Sequence, residues 1–391
     1  MNFIKEAQRL IKQNIREYGM YIALVAIMLT FTLTTNGLFI SSRNISNLIN
    51  QTGYIAVLAV GMTLVIVIRH IDLSVGFVAG FLGAVAAILL TKLGFPVFAT
   101  ILVILVLGIL VGLLNGFLVA RMGIPSFVAS LAGMLIFRGA LLLVTEGTGT
   151  IIIPNKAFNA IGNGFIPDIA KLQGIHLLTL IIGALAIGLY IWGELNNRRN
   201  KQKYNFEVLS TNMFIAKLIF IALVIAYITW ILAGYNGLSW TIVIVIIVVM
   251  IYNFITSKTT LGRHIYAVGG NPEAAKLSGI NVSKITYVVF SSMGMLAALS
   301  GILYTSRLQS ATTTAGTLFE LDAIAAAYVG GVSAAGGVGK ITGSIIGALV
   351  MASLTNGMNL MGVGISYQYI IRGIVLALAV IFDVKTRNKR K

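Results

Sequence analysis

The sequence predicts an all-α integral membrane protein, a polytopic helical bundle of about 10–12 crossings. Three observations carry that prediction. Of 391 residues, 58% are hydrophobic and only 10% are charged, against roughly 25% in a soluble domain. Apolar runs of about 17–25 residues recur from end to end, each long enough to cross a ~30 Å hydrocarbon layer. Lys and Arg collect in alternate loops. With the N-terminus cytoplasmic and twelve segments crossing, 21 of the 28 fall inside, five (Arg43, Lys92, Lys156, Lys171, Arg307) fall outside, and two (Arg138, Arg372) lie within spans. That bias follows the positive-inside rule. It also accounts for the net charge of +17 without any nucleic-acid partner. The chain has no cysteine, which excludes disulfides and thiolate metal sites. No A-x-A-like cleavage site follows the first apolar run, so that run reads as a retained span rather than a signal peptide.

Taken in order, residues 1–18 alternate apolar and basic positions at helical spacing, which predicts an interfacial amphipathic helix. Spans follow at Tyr21–Leu38, Thr52–Ile68, Val75–Leu90, Pro96–Ala120 and Pro125–Thr145. Gly108, Gly112 and Gly116 share one face, so another helix can approach closely there. Residues 146–174 read as a polar loop, and Ile175–Trp192 as the sixth span. Asn196–Glu207 lies in a basic cytoplasmic loop over residues 196–212, which precedes spans at Met213–Ala233 and Ser239–Thr256. A polar stretch over residues 257–284 leads to the ninth span, Ile285–Tyr304. Phe319–Val332 is short for a crossing, but re-entry would put the basic tail, residues 385–391, on the wrong side. The charges therefore favour crossing. Spans at Gly343–Gly357 and Tyr369–Phe382 close a membrane domain over residues 19–384.

The polar stretch Leu261–Lys284 carries a marked helix. Asn271 is a good N-cap, Pro272 suits the first helical position, Glu273 meets the positive helix end, and Gly279 stands where a C-terminal cap belongs. So short a helix is marginal alone in water and needs something to dock against. It serves either a groove on a soluble partner or a simple surface turn.

Chemistry within the chain finds little support. Ala334–Ile341, AAGGVGKI, lacks the Gly and the Ser or Thr of a phosphate-binding loop at its two ends, so its glycines read as a tight turn. His70, His176 and His264 are scattered, and no carboxylate cluster has metal-ligand spacing. Charged and amide groups near the membrane are the candidates for a polar path or gate: Asp72, Asn115, Arg138, Glu320, Asp322 and Asn356. Their alternative roles are helix caps, ion pairs and helix–helix bonds. No carboxylate is expected mid-span.

Several stretches resemble the permease subunits of ABC sugar importers, the ribose, galactose and xylose group. They are GGNPEAAKLSGINVSKI, SGILYTSRLQSATTTAGTLFELDAIAAAYVGGVSAAGGVGKITGSIIGAL and NGMNLMGVGISYQYIIRGIVLALAVIFD, with AVGMTLVIVIRHIDLSVG and GIPSFVASLAGMLIFRG upstream. The resemblance covers most of the chain, with its motifs in order. It implies a non-catalytic translocation subunit of the cell membrane that works by alternating access. The implied partners are a double-cassette ATPase holding ATP and Mg, an extracellular sugar-binding protein and a second copy of the permease. Gly270, Asn271, Pro272, Glu273, Ala274, Ala275 and Gly279 then belong to a cytoplasmic coupling helix that engages the ATPase. Extra length around residues 175–235 resembles the D-xylose or multiple-sugar members. Ribose, galactose, a nucleoside or a furanosyl signal are the alternatives within the family. An ion-coupled secondary transporter is the alternative outside it.

Overall fold

The structure, a computed structural model, describes residues 15–169, 171–172 and 174–388. The amphipathic segment expected over residues 1–18 lies almost wholly outside them, as does the end of the basic tail. The helices are α1 (Ile15–Thr34), α2 (Ser42–Val67), α3 (Val75–Thr91), α4 (Val97–Ala120), α5 (Ser126–Val144), α6 (Lys156–Asn163), α7 (Leu177–Lys203) and α8 (Thr211–Ala233). They continue as α9 (Trp240–Lys258), α10 (Thr260–Gly270), α11 (Pro272–Leu277), α12 (Val282–Leu308), α13 (Phe319–Val329), α14 (Ile341–Leu360) and α15 (Ile365–Asn388). Among the described residues nine helices are long and apolar enough to cross a membrane, and α3 and part of α1 are shorter apolar helices.

The bundle has two ends. At one, β1 (Thr150–Ile152) pairs antiparallel with β4 (Ser310–Thr312), and β2 (Lys171–Leu172) with β3 (Ile175–His176). At the other gather Val67, Arg69, Gly269, Gly270 and Gly337, all mutually bonded or in contact. We call these the hairpin end and the basic end. The short α13 follows β4 at the hairpin end, and the turn after it reaches Val67 at the basic end. The segment from β4 to that turn therefore runs from one end of the bundle to the other.

The buried centre is α2, α3 and α12, with α4 and α14 against them. Close packing depends on glycine. A Cβ on Gly112 would collide with the Phe290 carbonyl and lie 2.7 Å from Ser291 Cα, and one on Gly294 would strike the Gly108 carbonyl. The glycine stripe of α4 therefore lies on the backbone of α12. The outer helices expose Phe98, Leu102, Val106, Leu189, Phe220 and Leu223, as lipid contact requires.

Four boundaries differ from expectation. The stretch Ser42–Gln51 is helical rather than a loop, so the second span is α2 from Ser42. Its amides are consumed across the bundle: Asn44 and Asn356 bond reciprocally at 2.8 and 3.1 Å, and Asn50 accepts from Ser239. The basic segment continues α7 as helix to Lys203, with Lys217 on α8 bonded to Glu194 at 2.9 Å. The loop over residues 146–174 holds α6 and paired strands. The polar stretch after α9 contains α10, which puts Leu261, Ile265 and Val268 on its inner face.

Candidate functional site

Three places bear on function. The first is the polar stretch that carries α11, at the basic end. Asn271 Oδ1 accepts from the N–H groups of Glu273 and Ala274 at 3.0 and 3.1 Å, which caps α11 as its sequence requires. The helix ends in a Schellman motif: Gly279 N–H donates to Lys276 and Ile280 N–H to Ala275, both at 3.0 Å. Gly279 takes φ 82°, which glycine adopts without penalty. Ala275 is buried, whereas Leu277 is 90% exposed.

The end of α2 has the same motif with a different residue. His70 N–H donates to Val65 and Arg69 N–H to Ile66, so Arg69 occupies the left-handed position at φ 66°. A non-glycine residue there costs roughly 1–2 kcal/mol, and an outlier of this kind points to use of its side chain. That use is visible. Arg69 Nε donates to Gly269 O at 2.6 Å and Nη2 to Gly270 O, at the C-terminal end of α10. Cations and last-turn carbonyls attract. Gly337 N–H donates to Val67 O at 2.8 Å, and Tyr266 OH to Gly339 O at 2.6 Å. Asp383 of α15 accepts from Ser333 Oγ and Ala334 N–H at 3.3 and 3.2 Å. The glycines of AAGGVGKI thus let three segments cross: a Cβ on Gly337 would lie 2.9 Å from Gly270 Cα. The stretch α10–α11 is thereby tied to the end of α2 and to the turn that follows α13.

The second place is where two helices begin inside the bundle. Residues 68–74 are not helical, and their backbone is met by side chains: Ser126 Oγ accepts from Ile71 N–H at 3.3 Å, and Ser130 Oγ donates to Ile71 O at 3.4 Å. Irregular backbone at membrane depth needs such partners. Asp72 Oδ1 accepts from Ser74 N–H and Oγ at 2.9 and 2.6 Å, and Asn115 Nδ2 donates to Ser74 Oγ at 2.9 Å. Asp72 and Asn115 are therefore buried bracing groups at the start of α3. The start of α13 meets that of α3: a Cβ on Gly76 would strike Glu320 Oε2 and the Gly316 carbonyl. Glu320 is buried, and its Oε2 has no hydrogen-bond partner. It lies between two helix N-termini, whose partial positive charge suits a carboxylate. Gly80, one turn beyond Gly76 in α3, faces Ala315, and Ala79 faces Gly301 of α12. Glu320 is thus near the middle of the 27-residue α12, which corrects the expectation that no carboxylate lies mid-span.

The third place is a cavity toward the hairpin half, between α2, α13, α14 and α15, with about 620 Å³ of open space including its mouth. Asp322 and Arg372 form an ion pair in its wall. Asn356 also lines it, opposite its amide bond to Asn44. Tyr54 forms a wall backed by Tyr304 and Phe319, with ring centroids 4.7–5.0 Å apart. Arg138 stands elsewhere: exposed on α5, with its guanidinium 5.6 Å from the Phe77 ring centre. Sequence reasoning missed Arg69, Tyr54 and the pairing of Asp322 with Arg372. Among the described residues no group of three His, Asp or Glu could hold a metal.

The family described as "Branched-chain amino acid transport system / permease component" matches residues 44–380. The chain is 41% identical to the xylose transport system permease protein XylH of Escherichia coli K12, over 96% of this chain and 93% of that protein. Against XylH of Haemophilus influenzae it is 41% identical, covering 97% and 98%. Against the ribose import permease protein RbsC of E. coli K12 it is 36% identical, covering 93% and 91%. No solved structure matches.

Proposed function

The chain belongs to this permease family, and from that premise we propose that it is the membrane-spanning subunit of an ABC importer for D-xylose or a related monosaccharide. The observation that carries the reading is 41% identity to a xylose permease over 96% of the chain. The family description names amino acids, but relatives matched along nearly the whole chain are named for xylose and ribose. Whole-length likeness is the better guide to substrate class.

In this reading the basic end is cytoplasmic, with both termini there. A double-cassette ATPase, carrying ATP and Mg, grips α11 through the residues Gly270–Gly279. The exposed Leu277 is a suitable apolar contact for its groove. ATP-driven closure moves α10–α11, and the bonds of Arg69 and Tyr266 carry that motion to α2 and to the turn after α13. A second copy completes the path, and an extracellular binding protein delivers sugar to the hairpin end. Asp322 and Asn356 line the path, Glu320 stands behind it, and Asp72 and Asn115 brace the broken entry to α3. The ligand shifts the equilibrium between arrangements only by binding them unequally. The test is uptake of labelled D-xylose into proteoliposomes holding permease, ATPase and binding protein. Uptake should require ATP and survive an ionophore. Uptake that persists without ATP and collapses with the ionophore would favour the ion-coupled alternative and refute this reading.

A further inference from the structure

We propose that the cavity between α2, α13, α14 and α15 is a station for a neutral polyhydroxy ligand, a sugar ring held by the Asp322–Arg372 pair against the Tyr54 ring. The proposal rests on the permease reading above and adds which groups touch the cargo.

The cavity wall includes charged and amide groups that a lipid-facing wall would lack. A charged side chain within a span is costly, so such groups face protein or water. Asp322 and Arg372 satisfy one another, yet their side chains stay 22% and 20% exposed, so the pair opens onto the cavity rather than stapling two helices out of reach. The pair carries no net charge. It therefore offers a carboxylate acceptor beside a guanidinium donor without selecting an ion. Each hydroxyl of a sugar both donates and accepts, and adjacent hydroxyls match that alternation. Gln51, exposed at the mouth, and Asn356 add amides that do the same.

The aromatic part of the wall is rigid. Tyr54 packs against Tyr304 and Phe319, which in turn pack on each other at 4.8 Å. Such a triad holds the Tyr54 ring still, and an aromatic face suits the C–H face of a sugar ring. Few directional polar groups and a stiff aromatic wall are the usual make-up of small-ligand sites. Asp322 and Phe319 both sit on α13. The far end of that helix leads to Gly337, which is bonded to Val67 in the basic-end knot. One wall of the station therefore rides on the element that the coupling stretch holds.

The experiment uses the reconstituted complex of permease, ATPase and binding protein. Uptake of D-xylose and D-ribose is measured in competition, with co-purification of the ATPase as the check on assembly. Asp322→Asn and Arg372→Gln should each slow xylose uptake about tenfold, as expected for loss of a hydrogen bond to a charged group. They should also shift the xylose-to-ribose ratio, which a purely structural defect would leave alone. Gln51→Leu, at the exposed mouth, should shift the ratio as well. The exchange Asp322→Arg with Arg372→Asp should stay slow, because it inverts donor and acceptor toward the ligand. Full recovery in the exchange, or an unchanged ratio in Gln51→Leu and both single variants, would overturn the station while leaving the permease reading intact. A native complex that moves no sugar would overturn both.

Discussion

Replacing Arg69 by alanine should uncouple transport from ATP hydrolysis. The side chain makes two bonds to carbonyls of α10, one of them at an exposed position. A hydrogen bond to a charged group contributes roughly 1.5–3 kcal/mol, and exposure reduces the second toward the low end. Losing both weakens the link by at least about 3 kcal/mol, or upward of roughly 100-fold at 1.4 kcal/mol per decade. The quantity to measure is sugar moved per ATP hydrolysed in proteoliposomes, which should fall at least tenfold on that arithmetic. Arg69→Gly separates the side chain from the backbone. Glycine accepts the left-handed φ of 66° freely, so this variant should be about 1 kcal/mol more stable than Arg69→Ala while equally uncoupled. Native coupling in either variant would refute the idea that motion passes through this side chain.

Three further outcomes follow from the geometry. Gly279→Pro should abolish coupling with membrane insertion intact, because its N–H is bonded and its φ of 82° is closed to proline. Gly279→Ala, with nothing within 4 Å of the new Cβ, should cost only about 1 kcal/mol of local stability and lower uptake modestly. Gly112→Ala should cost about 1–3 kcal/mol by thermal unfolding in detergent, because backbone atoms block the Cβ, whereas Gly139→Ala meets open space and should be silent; equal melting temperatures would refute the packing account. Burial works to raise the Asp168 carboxyl, but bonds from the Leu178, Leu177 and Ile169 N–H groups, with His176 nearby, outweigh it and hold the carboxyl below its ordinary value. A depressed carboxyl stabilises above the unfolded value of about 4, and that support is lost as pH falls through the folded one. Hydrogen exchange at Leu177 and Leu178, corrected for intrinsic rate, should lose protection below about pH 4 in the native chain; Asp168→Ala should be unprotected throughout, and protection that is flat with pH in the native chain would dismiss this clamp.

What could be read from sequence divides along a physical line. Features fixed by neighbours in the chain were legible: Asn271, Pro272 and Gly279 mark α11 because capping is local chemistry. The glycine stripe of α4 followed from periodicity. Features fixed by distant partners were not. Ser42–Gln51 looks too polar for a span because its amides bond to Asn356 and Ser239, far along the chain. Asp322 and Arg372 stand fifty residues apart, and nothing local announces their pairing. Arg69 sits where glycine is the usual choice, so composition alone suggested only a loop charge. Helix α10 left a signal in Leu261, Ile265 and Val268, four and three residues apart, hidden by the polar residues around them.

The pair α7–α8 packs chiefly on itself, with Gly183 against Thr229, and meets the bundle near Ile231 and Leu232 beside Phe39 and Ile45. It is therefore joined to the core near its hairpin-end base, and its basic tip stands away from the core. Cutting the backbone between Tyr204 and Leu209 would leave two halves held by their shared face. That makes this tip the natural place to graft a fluorophore or an affinity handle without disturbing the moving parts.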